Sequence, residues 1–132
     1  MMITIDHIGI ALDEFGDTAN ILKIIGLESH HPEEVPNQKV NTWSFQAGES
    51  ELELLAPTSE ESPIAKYIDK KGQGIHHLAL RVENVKAEIE KLSSAGVKMI
   101  DHEPRLGAGN KLIAFIHPKS TGGILIELTQ PL

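Results

Sequence analysis

The sequence predicts an α+β fold made of two similar βαβββ modules, and three observations indicate it. Segment 5–11 resembles segment 75–81. A stretch with helical spacing of apolar residues follows each of these segments. Both copies then end in similar strand-like segments, 51–55 and 123–128. Because self-similarity of this kind is typical of a repeated structural unit, we expect one fold built from two copies.

The repeat keeps its spacing through most of its length. His77 follows His7 at the same interval at which Gly96 follows Gly26. The interval between the closing strands is slightly longer, and the Gly-rich segment 106–110 is the natural place for the insertion. A single βαβββ unit is too small to cover both faces of its sheet. We therefore expect the two copies to close on one another, with a site on the concave face between them.

Module one is predicted to span about 1–60 and to follow the order strand, helix and three strands. The first strand covers about 4–12, and Asp13 is expected to cap the helix that Gly26 ends. The inward face of that helix is predicted to consist of Phe15, Ala19, Leu22 and Ile25. The remaining strands are predicted at 27–33, 40–46 and 51–56, with a turn at 47–50.

A linker helix at about 61–72 and module two at about 73–132 complete one domain of residues 1–132. Ser62 is expected to cap the linker helix, with Pro63 at its first position; its inward residues are predicted to be Ile64, Ala65 and Ile68. Module two is predicted to have strands at 75–82, 98–101, 111–117 and 123–129 and a helix at 85–95, with Val85, Ile89 and Leu92 inward.

Composition excludes several classes of protein. The 132 residues include no cysteine, which rules out disulfide scaffolds and cysteine-ligated metal sites. A net charge of −7 argues against nucleic acid as a partner. No apolar run approaches the roughly 20 residues that a membrane span needs, and the first residues lack the pattern of a signal peptide. We expect a cytoplasmic protein.

Strand alternation singles out two histidines and two glutamates. Successive side chains of a strand point to opposite faces, so His7 and His77 oppose the aliphatic residues of the two opening strands. Glu53 and Glu127 do the same in the two closing strands. Imidazole nitrogens and carboxylate oxygens together suit a divalent ion such as Co²⁺, Mn²⁺, Ni²⁺, Zn²⁺ or Fe²⁺. Taken singly, each residue also fits an ordinary hydrogen-bonding role, and the repeat-related set favours a metal site.

Several segments resemble methylmalonyl-CoA epimerases, a family of the vicinal oxygen chelate superfamily that includes glyoxalase I. These segments are 5–11, 51–57, 62–66, 74–77 and 117–128, together with 101–105. The resemblance implies a cup-shaped mixed sheet (the glyoxalase/bleomycin-resistance/dihydroxybiphenyl dioxygenase fold), one divalent ion, commonly Co²⁺, and a homodimer. Carried over by position, the ligands are His7, Glu53, His77 and Glu127.

The resemblance implies epimerisation at C2 of methylmalonyl-CoA through a metal-stabilised enolate. Such a reaction needs an acid or base on each face of C2. Some epimerases have a glutamate on the third strand, where this chain has Thr42. Our hypothesis is that Glu127 and Glu53 act as the two bases, and the alternative is that Glu53 is only a ligand.

For the acyl-CoA substrate, segment 98–120 is locally basic in an acidic chain. We take Arg105, Lys119, Ser120 and Thr42 as candidate substrate contacts. Two other functions remain open: a lactoylglutathione lyase of the glyoxalase I type, and a small-molecule-binding protein of the same fold without catalysis.

Overall fold

The computed structural model describes residues 2–132 and contains, within them, three α-helices and nine β-strands. The strands form parallel as well as antiparallel pairs, which confirms the predicted α+β class. The chain divides into two compact units. We call His7–His76 the first unit and residues 2–6 with His77–Leu132 the second unit. The predicted module boundaries stay a prediction.

The first unit is an open sheet with two helices. The elements are β1 (Thr4–Ala11), which begins in the second unit, α1 (Gly16–Ile25), β2 (Glu28–Ser29), β3 (Glu33–Val35), β4 (Val40–Ala47), β5 (Ser50–Pro57) and α2 (Pro63–Lys71). Strand β1 pairs in parallel with β5, β5 pairs antiparallel with β4, and the short strands β2 and β3 both pair with β4.

Helix α1 covers one face of this sheet. Phe45 and Leu54 are fully buried there, and Leu22 and Trp43 pack against the same cluster. The helix ends at Gly26 in the left-handed conformation, which glycine adopts without strain. The N–H groups of residues 26 and 27 bond back to the carbonyls of Lys23 and Leu22, as in a Schellman motif.

Helix α2 packs on the opposite face of the same sheet. Ile64 is buried in a cluster with Ala11, Val40 and Leu55. The hydroxyl of Ser62, which is fully buried, accepts the backbone N–H of Ile64 at 3.2 Å. A serine cap and a proline at the first helical position therefore start this helix where the sequence placed it.

Three predictions for the first unit are wrong. Asp13 does not cap α1: the N-cap residue is Phe15, and the Asp13 N–H donates to the Gln73 side chain at 2.8 Å. Ile25 is 68% exposed rather than inward, because the Schellman turn brings Leu27 onto the core instead. The strand expected at 27–33 is broken around Pro32, which has no N–H to donate.

The second unit has one helix and a sheet of four strands. The elements are β6 (Gly74–Arg81), which begins at the end of the first unit, α3 (Val85–Ser94), β7 (Arg105–Gly107), β8 (Lys111–Ile116) and β9 (Ile126–Pro131). The strand order is β6, β9, β8 and β7; β6 and β9 are parallel, and the pairs β9–β8 and β8–β7 are antiparallel.

Helix α3 covers one face of the second unit as predicted. Val85 and Ile89 are buried against Ala114 and Leu128, and the side chain of Asn84 caps the helix by accepting the N–H of residue 87.

The predicted strands of the second unit need correction. The strand expected at 98–101 is reduced to one bridge between Met99 and Ile116. The last strand begins at Ile126, later than expected, because Gly122 and Gly123 form a turn with positive φ. Segment 106–110 was predicted as an insertion loop, but its first two residues belong to β7.

Among residues 2–132, no helix is long and apolar enough to cross a membrane.

Candidate functional site

The first unit brings His7 and Glu53 together. Strands β1 and β5 pair so that Gly9, two residues after His7, lies opposite Glu53. Both side chains lie on the face that α1 does not cover, because alternate residues of these strands pack against α1. His7 Nε2 lies 4.0 Å from Glu53 Oε1, and the His7 side chain is nearly buried. The predicted alternation of the two strands is therefore confirmed.

The second unit repeats this arrangement with His77 and Glu127. Ala79, two residues after His77, lies opposite Glu127, which is the register of the first pair. His77 Nε2 lies 3.7 Å from Glu127 Oε1, and each side chain is only 8% exposed. The sequence repeat therefore corresponds to a repeated histidine–glutamate pair.

The chemistry of these pairs fits a divalent metal ion. Burying a carboxylate costs free energy unless it has a partner of opposite charge or a metal ion. Each pair offers one imidazole nitrogen and one carboxylate oxygen, the donors that borderline divalent ions accept. The donor types thus agree with the metal that the resemblance implies.

Phe115 lies beside the second pair. It is directly opposite Glu127 in the β8–β9 register, and its ring meets the His77 ring edge-on with centroids 6.3 Å apart. The Arg105 guanidinium carbon is 5.5 Å from the centre of the Phe115 ring. Through the Phe115 ring, these contacts connect Arg105, one of the predicted substrate contacts, to His77 of the second pair.

Lys119 and Ser120 lie in a short 3₁₀ turn after β8, Pro118–Ser120. The Ser120 hydroxyl accepts the backbone N–H of Lys98 at 2.8 Å, and the Lys119 N–H donates to His117 Nδ1 at 3.1 Å. These described bonds hold the turn together, and they leave the role of both residues in substrate binding as a prediction.

Thr42 lies in the first unit on β4, opposite Leu55 of β5 and Glu33 of β3. Leu55 and Glu53 share a face of β5, so Thr42 lies on the same face as the first histidine–glutamate pair. Its predicted contact with substrate stays a prediction.

His76, the residue before His77, contacts helix α2. Its ring meets that of Tyr67 on α2 edge-on, with centroids 4.7 Å apart. Burial lowers the pKa of His76 below its ordinary value of 6.5, because desolvation disfavours the charged imidazolium.

The sequence patterns did not single out Phe115 and Asp101, two residues near the second pair. Alternation along β8 would have placed Phe115 on the face of Glu127, since both strands were predicted. Asp101, which contacts Arg105 at 3.0 Å, follows no element whose periodicity could reveal its direction.

The chain matches a family model described as the Glyoxalase/Bleomycin resistance protein/Dioxygenase superfamily over residues 6–115. The match covers most of the chain, so the protein belongs to this superfamily.

Relatives within the superfamily include epimerases of acyl-CoA thioesters. The uncharacterized protein YqjC of Bacillus subtilis is 43% identical over 128 residues, which cover 96% of this chain and 91% of that protein. The ethylmalonyl-CoA/methylmalonyl-CoA epimerase of Cereibacter sphaeroides is 33% identical over 129 residues, which cover 96% of each protein. A solved structure of a methylmalonyl-CoA epimerase in complex with methylmalonyl-CoA and NH4+ is similar with a TM-score of 0.85 at 33% identity. It covers 99% of this chain and 96% of that one.

Proposed function

We propose that this protein epimerises methylmalonyl-CoA at C2. The observation that carries the proposal is the pair of buried or nearly buried histidine–glutamate contacts in equivalent registers, His7 with Glu53 and His77 with Glu127. The similarity to methylmalonyl-CoA epimerases over nearly the whole chain supplies the substrate.

The proposal includes one divalent ion, Co²⁺ in the first instance, with His7, Glu53, His77 and Glu127 as its ligands. His7 with Glu53, and His77 with Glu127, would each supply one imidazole nitrogen and one carboxylate oxygen to the ion. When bound, such an ion supplies a Lewis acid that stabilises negative charge developing on substrate oxygens.

The remaining chemistry belongs to the side chains. C2 of methylmalonyl-CoA lies between a thioester carbonyl and a carboxylate, and inversion requires loss of its proton on one face and return of a proton on the other. In the proposal the Glu127 carboxylate serves one face and the Glu53 carboxylate the other. Because Glu53 is 25% exposed and Glu127 only 8%, Glu53 is the one that exchanges its proton with solvent more readily.

Substrate binding is assigned to four residues. Arg105 and Lys119 would attract anionic groups of the acyl-CoA, and Thr42 and the Ser120 hydroxyl would donate hydrogen bonds to it.

We also propose a cytoplasmic homodimer. The exposed Ile21, Ile24 and Ile25 on α1 support self-association, and light scattering of the purified protein measures it.

The decisive experiment is proton exchange at C2. Protein stripped with a chelator is incubated with methylmalonyl-CoA in D₂O, with and without added Co²⁺, and the C2 proton is followed by NMR. We expect exchange and interconversion of the epimers to depend on the added ion. Absence of exchange under both conditions would contradict the proposed function. Full exchange in the stripped protein would show that the reaction does not need the metal ion.

The two other functions predict different results in the same samples. A glyoxalase I-type lyase would convert the adduct of methylglyoxal and glutathione, so this mixture is the control substrate. A binding protein without catalysis would bind acyl-CoA and exchange no proton.

A further inference from the structure

Asp101 is held on strand β8 by its backbone and its side chain. Its N–H donates to the Phe115 carbonyl at 3.3 Å, and its Oδ2 accepts the Phe115 N–H at 2.8 Å. The second carboxylate oxygen, Oδ1, accepts the Nε–H of Arg105 at 3.0 Å. The Asp101 carboxylate is therefore a fixed acceptor for the arginine.

The same strand supplies a platform for the guanidinium. Arg105 lies over the Phe115 ring at 5.5 Å, and a cation over an aromatic face is attracted by the electrons of the ring. Asp101 fixes Nε, and the guanidinium carbon lies over the Phe115 ring. A guanidinium has five N–H donors, so the four on its terminal nitrogens remain for another acceptor.

The position of this arginine is tied to the proposed catalytic pair. The Phe115 ring that carries it also meets the His77 ring at 6.3 Å, and Phe115 lies opposite Glu127. A half-exposed ion pair adds little to stability; the Arg105 side chain is 49% exposed and that of Asp101 16%. The arrangement thus has little value for folding and places a cation one aromatic ring away from His77.

We infer that Asp101 and Phe115 are positioning residues that hold Arg105 ready to bind an anionic group of the acyl-CoA substrate. This inference rests on the proposed function. The anion is a planar or tetrahedral oxyanion, which is either the carboxylate on C2 or a phosphate of CoA, since both accept two parallel N–H donors from an arginine. Without Asp101 the long arginine side chain must be ordered by the substrate itself.

The test compares Asp101→Asn, Arg105→Leu and the double variant. Asparagine keeps an oxygen for the Phe115 N–H but presents an amide that cannot anchor Nε as a carboxylate does. We expect Asp101→Asn to raise KM for C2 exchange about three- to tenfold, which is the cost of ordering one flexible side chain, with kcat little changed. Arg105→Leu should raise KM at least as much, and the double variant no further.

Glu103→Gln is the matched control, because Glu103 is exposed in the same segment and its substitution removes the same charge. It should keep the wild-type KM, and thermal melting should show all variants folded. A KM for Asp101→Asn that is unchanged or lower would overturn the inference, since Asp101 would then act only as a negative charge that repels the substrate. An effect of Asp101→Asn that persists in the Arg105→Leu background would overturn it as well.

A shortened substrate distinguishes the two anions. The methylmalonyl thioester of pantetheine has the carboxylate and lacks the phosphates of CoA. If the Asp101→Asn effect persists with it, Arg105 binds the carboxylate; if the effect is found only with the CoA thioester, Arg105 binds a phosphate. Both results support the positioning role.

Failure of the proposed function is recognised separately. If the wild-type protein exchanges no C2 proton, the epimerase proposal is wrong, but the proposed role of Arg105 in anion binding is still open to test. Calorimetric titration of the same variants with methylmalonyl-CoA then decides: weaker binding by Asp101→Asn than by Glu103→Gln supports the inference, and equal binding overturns it.

Discussion

Glu53 and Glu127 occupy equivalent positions in their strands, but their surroundings differ. Glu127 lies beside Phe115 and is nearly buried, whereas a quarter of the Glu53 side chain is exposed. Burial favours a ligand that keeps one geometry, and partial exposure favours a group that exchanges protons with water. The surroundings of the two glutamates therefore favour different roles.

Glu53→Gln separates the role of base from that of ligand. The glutamine keeps an oxygen that can coordinate a metal ion but loses the basic carboxylate, so we expect bound metal to be retained. Exchange of the C2 proton should fall by about 100-fold or more for one epimer, as is typical when a general base is lost. NMR in D₂O starting from each epimer measures it, with metal content determined on the same samples.

The exposed turn residue Glu49 provides the control for this experiment. Glu49→Gln removes the same charge four residues earlier and should leave exchange unchanged. If the Glu53→Gln variant exchanges the C2 proton of both epimers at the wild-type rate, Glu53 is not a base, and a role as ligand is the one that is left.

The residues of the two pairs were predictable because alternation along a strand needs no knowledge of the partner strand. His7 and Glu53 could each be assigned to a face from their own segment, and the register then brought the predicted pair together. Asp101 could not be found in this way. It follows a single bridge rather than a strand, and its contacts with Arg105 and Phe115 depend on the path of a loop.

The helices α1, α2 and α3 show which local sequence signals are sufficient to determine where a helix starts. Ser62 and Asn84 cap α2 and α3 where the sequence placed these helices. Helix α1 begins without a side-chain cap, and Phe15 at its N-cap packs edge-on against Trp43 at 5.6 Å. Asp13 offered the better capping side chain, but tertiary packing of an aromatic residue decided where the helix starts.

Ser62→Ala measures how much one cap contributes to the fold. The hydroxyl is fully buried and satisfies the N–H of Ile64, so its loss leaves a helical donor without a partner. We expect the free energy of unfolding to fall by about 1 kcal/mol, within the usual range for an N-cap serine. Urea denaturation followed by circular dichroism measures the change.

Ser59→Ala is the comparison for this variant, because Ser59 is exposed and its hydroxyl accepts the N–H of Glu61 in a turn. Its effect should stay within about 0.5 kcal/mol, as for most surface substitutions. Equal losses for the two variants would contradict the assignment of Ser62 as the stabilising cap.

For the whole molecule, the repeat has a consequence for metal binding. A single histidine–glutamate pair offers two ligands, which is fewer than the three or four protein ligands usual for zinc-like ions. If His7 with Glu53 and His77 with Glu127 bind one ion together, each pair is insufficient alone. If each pair bound its own ion weakly, the two pairs would act independently.

We therefore expect one Co²⁺ per chain, with binding lost when either pair is damaged. Calorimetric titration of stripped protein should saturate at one equivalent, and thermal melting should show a stabilisation of about 2.7 kcal/mol at a free-ion concentration 100 times Kd. His7→Asn and His77→Asn should each abolish nearly all of this stabilisation, and His31→Asn, at an exposed position in the first unit, should retain it. Two equivalents bound per chain, or half of the stabilisation left in each single variant, would show separate sites and remove the shared ion from the proposed function.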